Sequence, residues 1–158
     1  MDDAAAVTER RFAVAIHEAG HAVVFAFFRV DVPYIQMGLD PDPSGHTRGL
    51  DGPIADYIEF LAPLHAGNVA VEELCGGYRL PVVASPASDE AQIAWVEAET
   101  NASQYARAQA PVLARKIVLL CRDEVVAIAN ELLASPDGRL EGQALQNLLA
   151  PVWEKPGP

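Results

Sequence analysis

From Glu9 to Arg29 the chain contains no proline, and only Gly20 interrupts it. Phe12, Ile16, Val23 and Phe27 recur at the four- and seven-residue spacings of one helical face, which predicts a single long helix. Thr8 is placed to cap its start and Asp31-Val32-Pro33 to stop it. Residues 1–7 read as a flexible beginning. Tyr34 to Leu39 predicts a short strand. Asp40-Pro41-Asp42-Pro43-Ser44-Gly45 predicts a turn, and His46 to Leu50 a returning strand. A small β-hairpin or sheet is therefore expected after the first helix.

Asp51-Gly52-Pro53 marks the next helix start. Apolar residues continue to Leu74, with Pro63 placed to kink or split the helix. Gly76-Gly77 is a stop signal, and Tyr78 to Pro86 reads as a loop. Ser88 is placed to cap a helix from about Asp89 to Ala108, whose first-turn acids, Asp89 and Glu90, suit the positive end of the helix dipole. Pro111 is expected to open another helix, reaching about Ala134. Its apolar stripe is Val112, Ile117, Leu120, Val125, Ile128 and Leu132. Ser135-Pro136-Asp137-Gly138 reads as a turn and Glu141 to Leu149 as a short last helix. Residues 150–158 read as a flexible, proline-rich tail. The expected class is mainly α, one domain over 1–158.

With 158 residues, 51% of them hydrophobic, the chain can build a real core. A formal net charge of -11 argues against nucleic acid or an anionic membrane surface as partner, since both would repel it. The longest apolar run, Ala22 to Phe28, falls far below the about 20 residues a bilayer needs. The first residues are acidic where a secretory signal is basic. The expectation is no membrane span and a cytoplasmic protein. Cys75 and Cys121 sit far apart in apolar stretches, so they are expected to be buried free thiols rather than a disulfide.

The chemistry lies in His17-Glu18-Ala19-Gly20-His21. Positions i and i+4 share a helix face, one turn apart. Two imidazoles there can converge on one zinc ion. Glu18, displaced around the helix, can take a proton from a water activated by that metal without occupying a coordination position. The flanks are apolar: Ala13 to Ile16 before the motif and Ala22 to Phe25 after it. Two histidines and a glutamate in such a helix are costly to bury without a partner, and a metal supplies one. A catalytic zinc takes three protein ligands. His46, His65, Glu72, Glu73, Asp89 and Glu90 are the candidates for the third.

His17-Glu18-Ala19-Gly20-His21-Ala22-Val23 resembles the zinc-binding helix of the FtsH-type ATP-dependent metallopeptidases (peptidase family M41). Ala66-Gly67-Asn68-Val69-Ala70-Val71-Glu72-Glu73-Leu74-Cys75-Gly76 is similar to a second segment of that family. Ala87-Ser88-Asp89 is similar to the segment whose aspartate is the third zinc ligand. The resemblance spans about residues 9–149. It implies His17, His21 and Asp89 as zinc ligands and Glu18 as general base. Glu72 and Glu73 would then support the ligand histidines or pair with a core arginine.

The family also carries an ATPase module, but no G-x-x-x-x-G-K-[ST] loop occurs in this chain, so ATP binding through it is not expected. Asn68 stands where the family usually has arginine, and Pro86 where it has glycine. The expected function is a zinc-dependent endopeptidase acting on flexible or unfolded polypeptides without its own ATPase. An extended substrate is expected to join the edge of the Tyr34–Leu39 strand. The alternative is a non-catalytic, metal-binding relative serving assembly or regulation. Family members form rings of six, largely through the ATPase, so oligomerisation is left open.

Overall fold

The first helix, α1 (Asp3–Phe27), is the axis around which the rest packs. From Ala13 to Ala26 every residue except His17 is buried, and a helix buried on all sides belongs at the centre of a fold. The computed structural model describes residues 3–38, 45–48, 57–81 and 88–157. Predicted features at residues 39–44, 49–56 and 82–87 lie outside this set: most of the first turn, the second helix start and part of the loop before Ser88.

α1 begins earlier than predicted. Residues 3–7 are its first turns, and Thr8 is no cap, because its Oγ1 donates to the Ala4 carbonyl at 2.9 Å from inside the helix. The other end closes where Arg29 takes a positive φ of 62°. Its N–H reaches the Ala26 carbonyl and that of Val30 reaches Phe25, at 2.9 and 3.0 Å. This is a Schellman closure with arginine at the position usually held by glycine. The Arg29 guanidinium also donates to the Trp153 carbonyl.

β1 (Tyr34–Met37) and β2 (Gly45–Arg48) form the expected antiparallel hairpin, pairing Tyr34 with Arg48 and Met37 with Gly45. A third strand, β3 (Arg139–Glu141), was not predicted. It pairs Ile35 with Leu140, giving the order β2-β1-β3. β1 is thus the central strand, and the expectation that its edge is open to a substrate is corrected. Three residues are too few to show an alternating pattern. Ile35 and Met37 point into the core, fully buried, against α1.

α2 (Tyr57–Leu74) runs unbroken through Pro63, so the predicted split does not occur. Gly76 and Gly77 end it with φ of 59° and 87°. The predicted Asp89–Ala108 helix is two helices, α3 (Asp89–Glu99) and α4 (Gln104–Leu120). Asn101 breaks it with a φ of 49°, and Ser103 caps α4 by accepting from the Ala106 N–H at 3.1 Å. Pro111 therefore lies inside α4 rather than at a helix start. A second break at Cys121 separates α4 from α5 (Arg122–Ala134). The inward face of α4 is carried by Ala106, Ala110 and Ala114 ahead of Ile117, and buried Cys121 continues it into α5. Ile117, Val125, Ile128 and Leu132 are buried, while Val112 and Leu120 face solvent.

α6 (Gly142–Trp153) buries Leu145, Leu149 and Val152 at helical spacing. The predicted loose tail is corrected here too: residues 150–153 are helical, and Lys155 pairs with Glu124 at 3.1 Å. The class is mainly α with a small sheet. No described helix is long and apolar enough to cross a membrane.

Candidate metal centre

α1 and α2 cross closely because glycine and alanine line the contact. A Cβ on Gly20 would lie 2.7 Å from the Ala70 Cβ and 2.8 Å from the Ala66 carbonyl oxygen. Such distances admit only glycine, and they bring the α1 histidines against the α2 backbone. His17 and His21, one turn apart on α1, stand edge to face, with ring centroids 4.6 Å apart at 87°.

Asp89 arrives from the start of α3. Ser88 caps that helix, its Oγ accepting from the Ala91 N–H at 3.2 Å, which fixes the backbone next to Asp89. Three donor atoms then form a nearly equilateral triangle. The two Nε2 atoms are 3.0 Å apart; Asp89 Oδ2 is 2.9 Å from that of His17 and 3.1 Å from that of His21. Tetrahedral zinc ligands with bonds of about 2.0–2.1 Å stand about 3.3–3.4 Å apart, so the triangle needs to open only by tenths of an ångström.

The ring of His21 is oriented. Its Nδ1 faces the Pro63 carbonyl oxygen at 2.7 Å, and a carbonyl can only accept, so Nδ1 is the donor. The proton there leaves the Nε2 lone pair for the triangle, the arrangement that metal-binding histidines adopt. His17 Nδ1 is buried and meets no hydrogen-bond partner among the described residues.

Three electron pairs aimed at one point repel unless a cation lies between them. In the metal-free protein a proton can serve. The His21 pKa is set first by burial, which lowers it, but Asp89, Glu18 and the Pro63 carbonyl outweigh that and raise it. Burial likewise pushes the Asp89 carboxyl up, yet the two imidazoles hold it well below the usual carboxylate range. A divalent cation meets the same need with more charge. Two imidazole nitrogens and one carboxylate oxygen are a zinc-type donor set, and three protein ligands leave a position for water or substrate. Among the described residues, these three form the one cluster of histidine, cysteine and acidic side chains able to hold a metal ion.

Glu18 is buried, 3% exposed, and its negative charge acts on His21. The other third-ligand candidates lie elsewhere. Glu73 and Glu72 accept from Arg115 of α4, at 2.6 and 3.0 Å. Of the two roles open to them, the structure shows the arginine pair and not support of the histidines. Glu90 accepts from Asn68 at 3.5 Å. His65 is half-buried on α2, its Nε2 without a hydrogen-bond partner among the described residues; burial lowers its pKa, against the pull of Glu97 and Asp89. His46 lies on β2 opposite Gln36, with its side chain outside the described set. Cys75 and Cys121 are unpaired thiols, Cys121 buried and Cys75 partly so.

Sequence reasoning missed two contributors, both on α2. Pro63, which the sequence places to kink or split the helix, orients His21 through its carbonyl. Gly67 carries no local signal of a role, yet a Cβ there would lie 2.5 Å from His21 Nε2 and 2.6 Å from His17 Cε1. Glycine inside a helix costs about 0.5–1 kcal/mol relative to alanine, and the two rings account for its presence. No protein-family model matches the chain, and no curated protein matches it significantly.

Proposed function

We propose that this chain is a zinc-dependent endopeptidase of the FtsH type, acting on flexible or unfolded polypeptides. The triangle of His17, His21 and Asp89 carries the proposal. Its donor atoms match zinc in kind and nearly in spacing. His17 and His21 belong to one rigid helix and Asp89 to a capped helix start, so little ordering is left for binding to accomplish.

When bound, zinc would supply a positive charge that polarises a peptide carbonyl and lowers the pKa of a water to about 7. Glu18 would accept the proton from the attacking water on its carboxylate and pass it to the departing amine. Its neighbour position on α1 puts that carboxylate beside the ligand face rather than in it. Pro63, through its carbonyl, would keep His21 in the ligating tautomer throughout.

Among the described residues β2 has a single strand neighbour, and it packs against α1. An extended substrate would add along the free side of β2 by main-chain hydrogen bonds. Such binding requires an already extended segment, so folded proteins would resist cleavage.

The test is hydrolysis of unfolded casein by protein stripped with chelator and then reloaded. Activity that vanishes with the metal and returns with zinc supports the proposal. Activity indifferent to chelator, or none with any divalent metal, overturns it.

A further inference from the structure

Gly67 and Gly20 face the same helix crossing, but a side chain on each would meet different atoms. At Gly20 the obstacles are the Ala70 Cβ and the Ala66 carbonyl, part of the α2 framework itself. At Gly67 the nearest atoms all belong to imidazoles: His21 Nε2 at 2.5 Å, His17 Cε1 at 2.6 Å and His17 Nδ1 at 2.7 Å. Real Cβ contacts essentially never fall below 3.0 Å. The rings cannot retreat freely, because His21 is tied to Pro63 at 2.7 Å and both rings meet Asp89.

We infer that Gly67 is a positioning residue for the metal centre: the missing side chain is the clearance in which the imidazoles of His17 and His21 converge. This deepens, and in its metal-binding arm rests on, the zinc reading above. Pro63 and Gly67, one turn apart on α2, form a template in which the carbonyl of one fixes a ring and the bareness of the other admits both. Any side chain at residue 67 pushes on His21 Nε2, the ligating atom, and on the edge of the His17 ring. A glycine serving only helix packing would contact backbone or aliphatic groups, as Gly20 does.

Cobalt(II) is the probe, since its visible spectrum reports coordination without any need for activity. Gly67→Ala is expected to keep its helical circular dichroism and to lose about 10–100-fold or more in cobalt affinity, the range seen when groups supporting a metal ligand are altered. The second arm needs no metal. Gly67→Ala is compared in the parent chain and in a His17→Ala/His21→Ala background. The inference predicts a lower Tm in the parent and an unchanged or higher Tm where the rings are absent.

If Gly67→Ala fails to fold in the parent, its tolerance in the ring-free background still supports the clearance role. Parent-like cobalt affinity in Gly67→Ala, or an equal loss of Tm in both backgrounds, overturns it. A parent chain that binds no cobalt would sink the zinc reading instead and leave the stability comparison to decide on Gly67.

Discussion

His21 donates from Nδ1 to the carbonyl oxygen of Pro63 at 2.7 Å, and through that bond α2 dictates which nitrogen α1 offers to a metal. The carbonyl belongs to a helix residue that itself has no N–H. It lies in the same helix as Gly67, whose bare Cα faces both rings. The site is therefore a property of the helix crossing, completed by Asp89 from α3.

Asp89→Asn is expected to weaken zinc binding by more than the roughly 10–100-fold typical of a mutated supporting group, because it removes a donor charge. Glu73→Gln is expected to leave most of the affinity, since Glu73 is held by Arg115. Competition with a chromogenic chelator measures both. Loss of the metal from Glu73→Gln with retention in Asp89→Asn would reverse the ligand assignment.

At pH 7 the metal-free protein is expected to carry a proton on His21. Burial opposes that charge, but Asp89 and Glu18 raise the pKa to about 9. The folded value exceeds the ordinary one of about 6.5. This proton therefore stabilises the metal-free fold fully below pH 6.5, and the stabilisation is lost as pH rises through about 9. Asp89, depressed, contributes above its ordinary 3.8 and loses that contribution as pH falls. Zinc requires the neutral ring, so its binding at pH 7 should release about one proton. Calorimetry in two buffers of different ionisation heat counts it; binding without proton release contradicts the prediction.

Arg115→Ala removes both carboxylate pairs that tie α2 to α4. Arg115 is 43% exposed and Glu72 47%, so solvent screens them and each pair is expected to contribute less than about 1 kcal/mol. The urea midpoint should fall slightly and zinc stoichiometry should stay the same. Loss of the metal in this variant would show that the arginine and its glutamates do support the histidines.

Truncation after Ala150 tests the correction at the C-terminal end. Val152 is 1% exposed, and removing one fully buried valine costs about 1.5–3 kcal/mol. A clearly lower urea midpoint is expected; an unchanged one would mean that the end of α6 contributes nothing.

The helical class, the hairpin and the Ser88 cap were legible because each has a local signal: an apolar face, turn-forming residues between two short segments, a hydroxyl before acids. What the sequence concealed was set by tertiary contacts. Arg29 closes α1 in a conformation that usually announces itself with glycine. The inward face of α4 is made by the small side chains of Ala106, Ala110 and Ala114, which leaves the larger Val112 and Leu120 outside. β3 exists because β1 offers it hydrogen bonds. In the site, His17, His21 and Glu18 could be read from spacing alone. Asp89 needed a resemblance, because nothing local shows that a helix start 68 residues from His21 folds back onto α1. Pro63 and Gly67 act through a carbonyl and through an absent side chain, neither of which a motif records.

If Glu18 moves the proton while the triangle holds the metal, loss of the Glu18 carboxylate alone should stop cleavage without releasing zinc. Wild-type protein and Glu18→Gln, each loaded with one equivalent of zinc, are incubated with unfolded casein and the new amino termini are counted. Cleavage by the wild type and its near-complete loss in Glu18→Gln, at equal zinc content, is the predicted result. Equal counts from both proteins would contradict it.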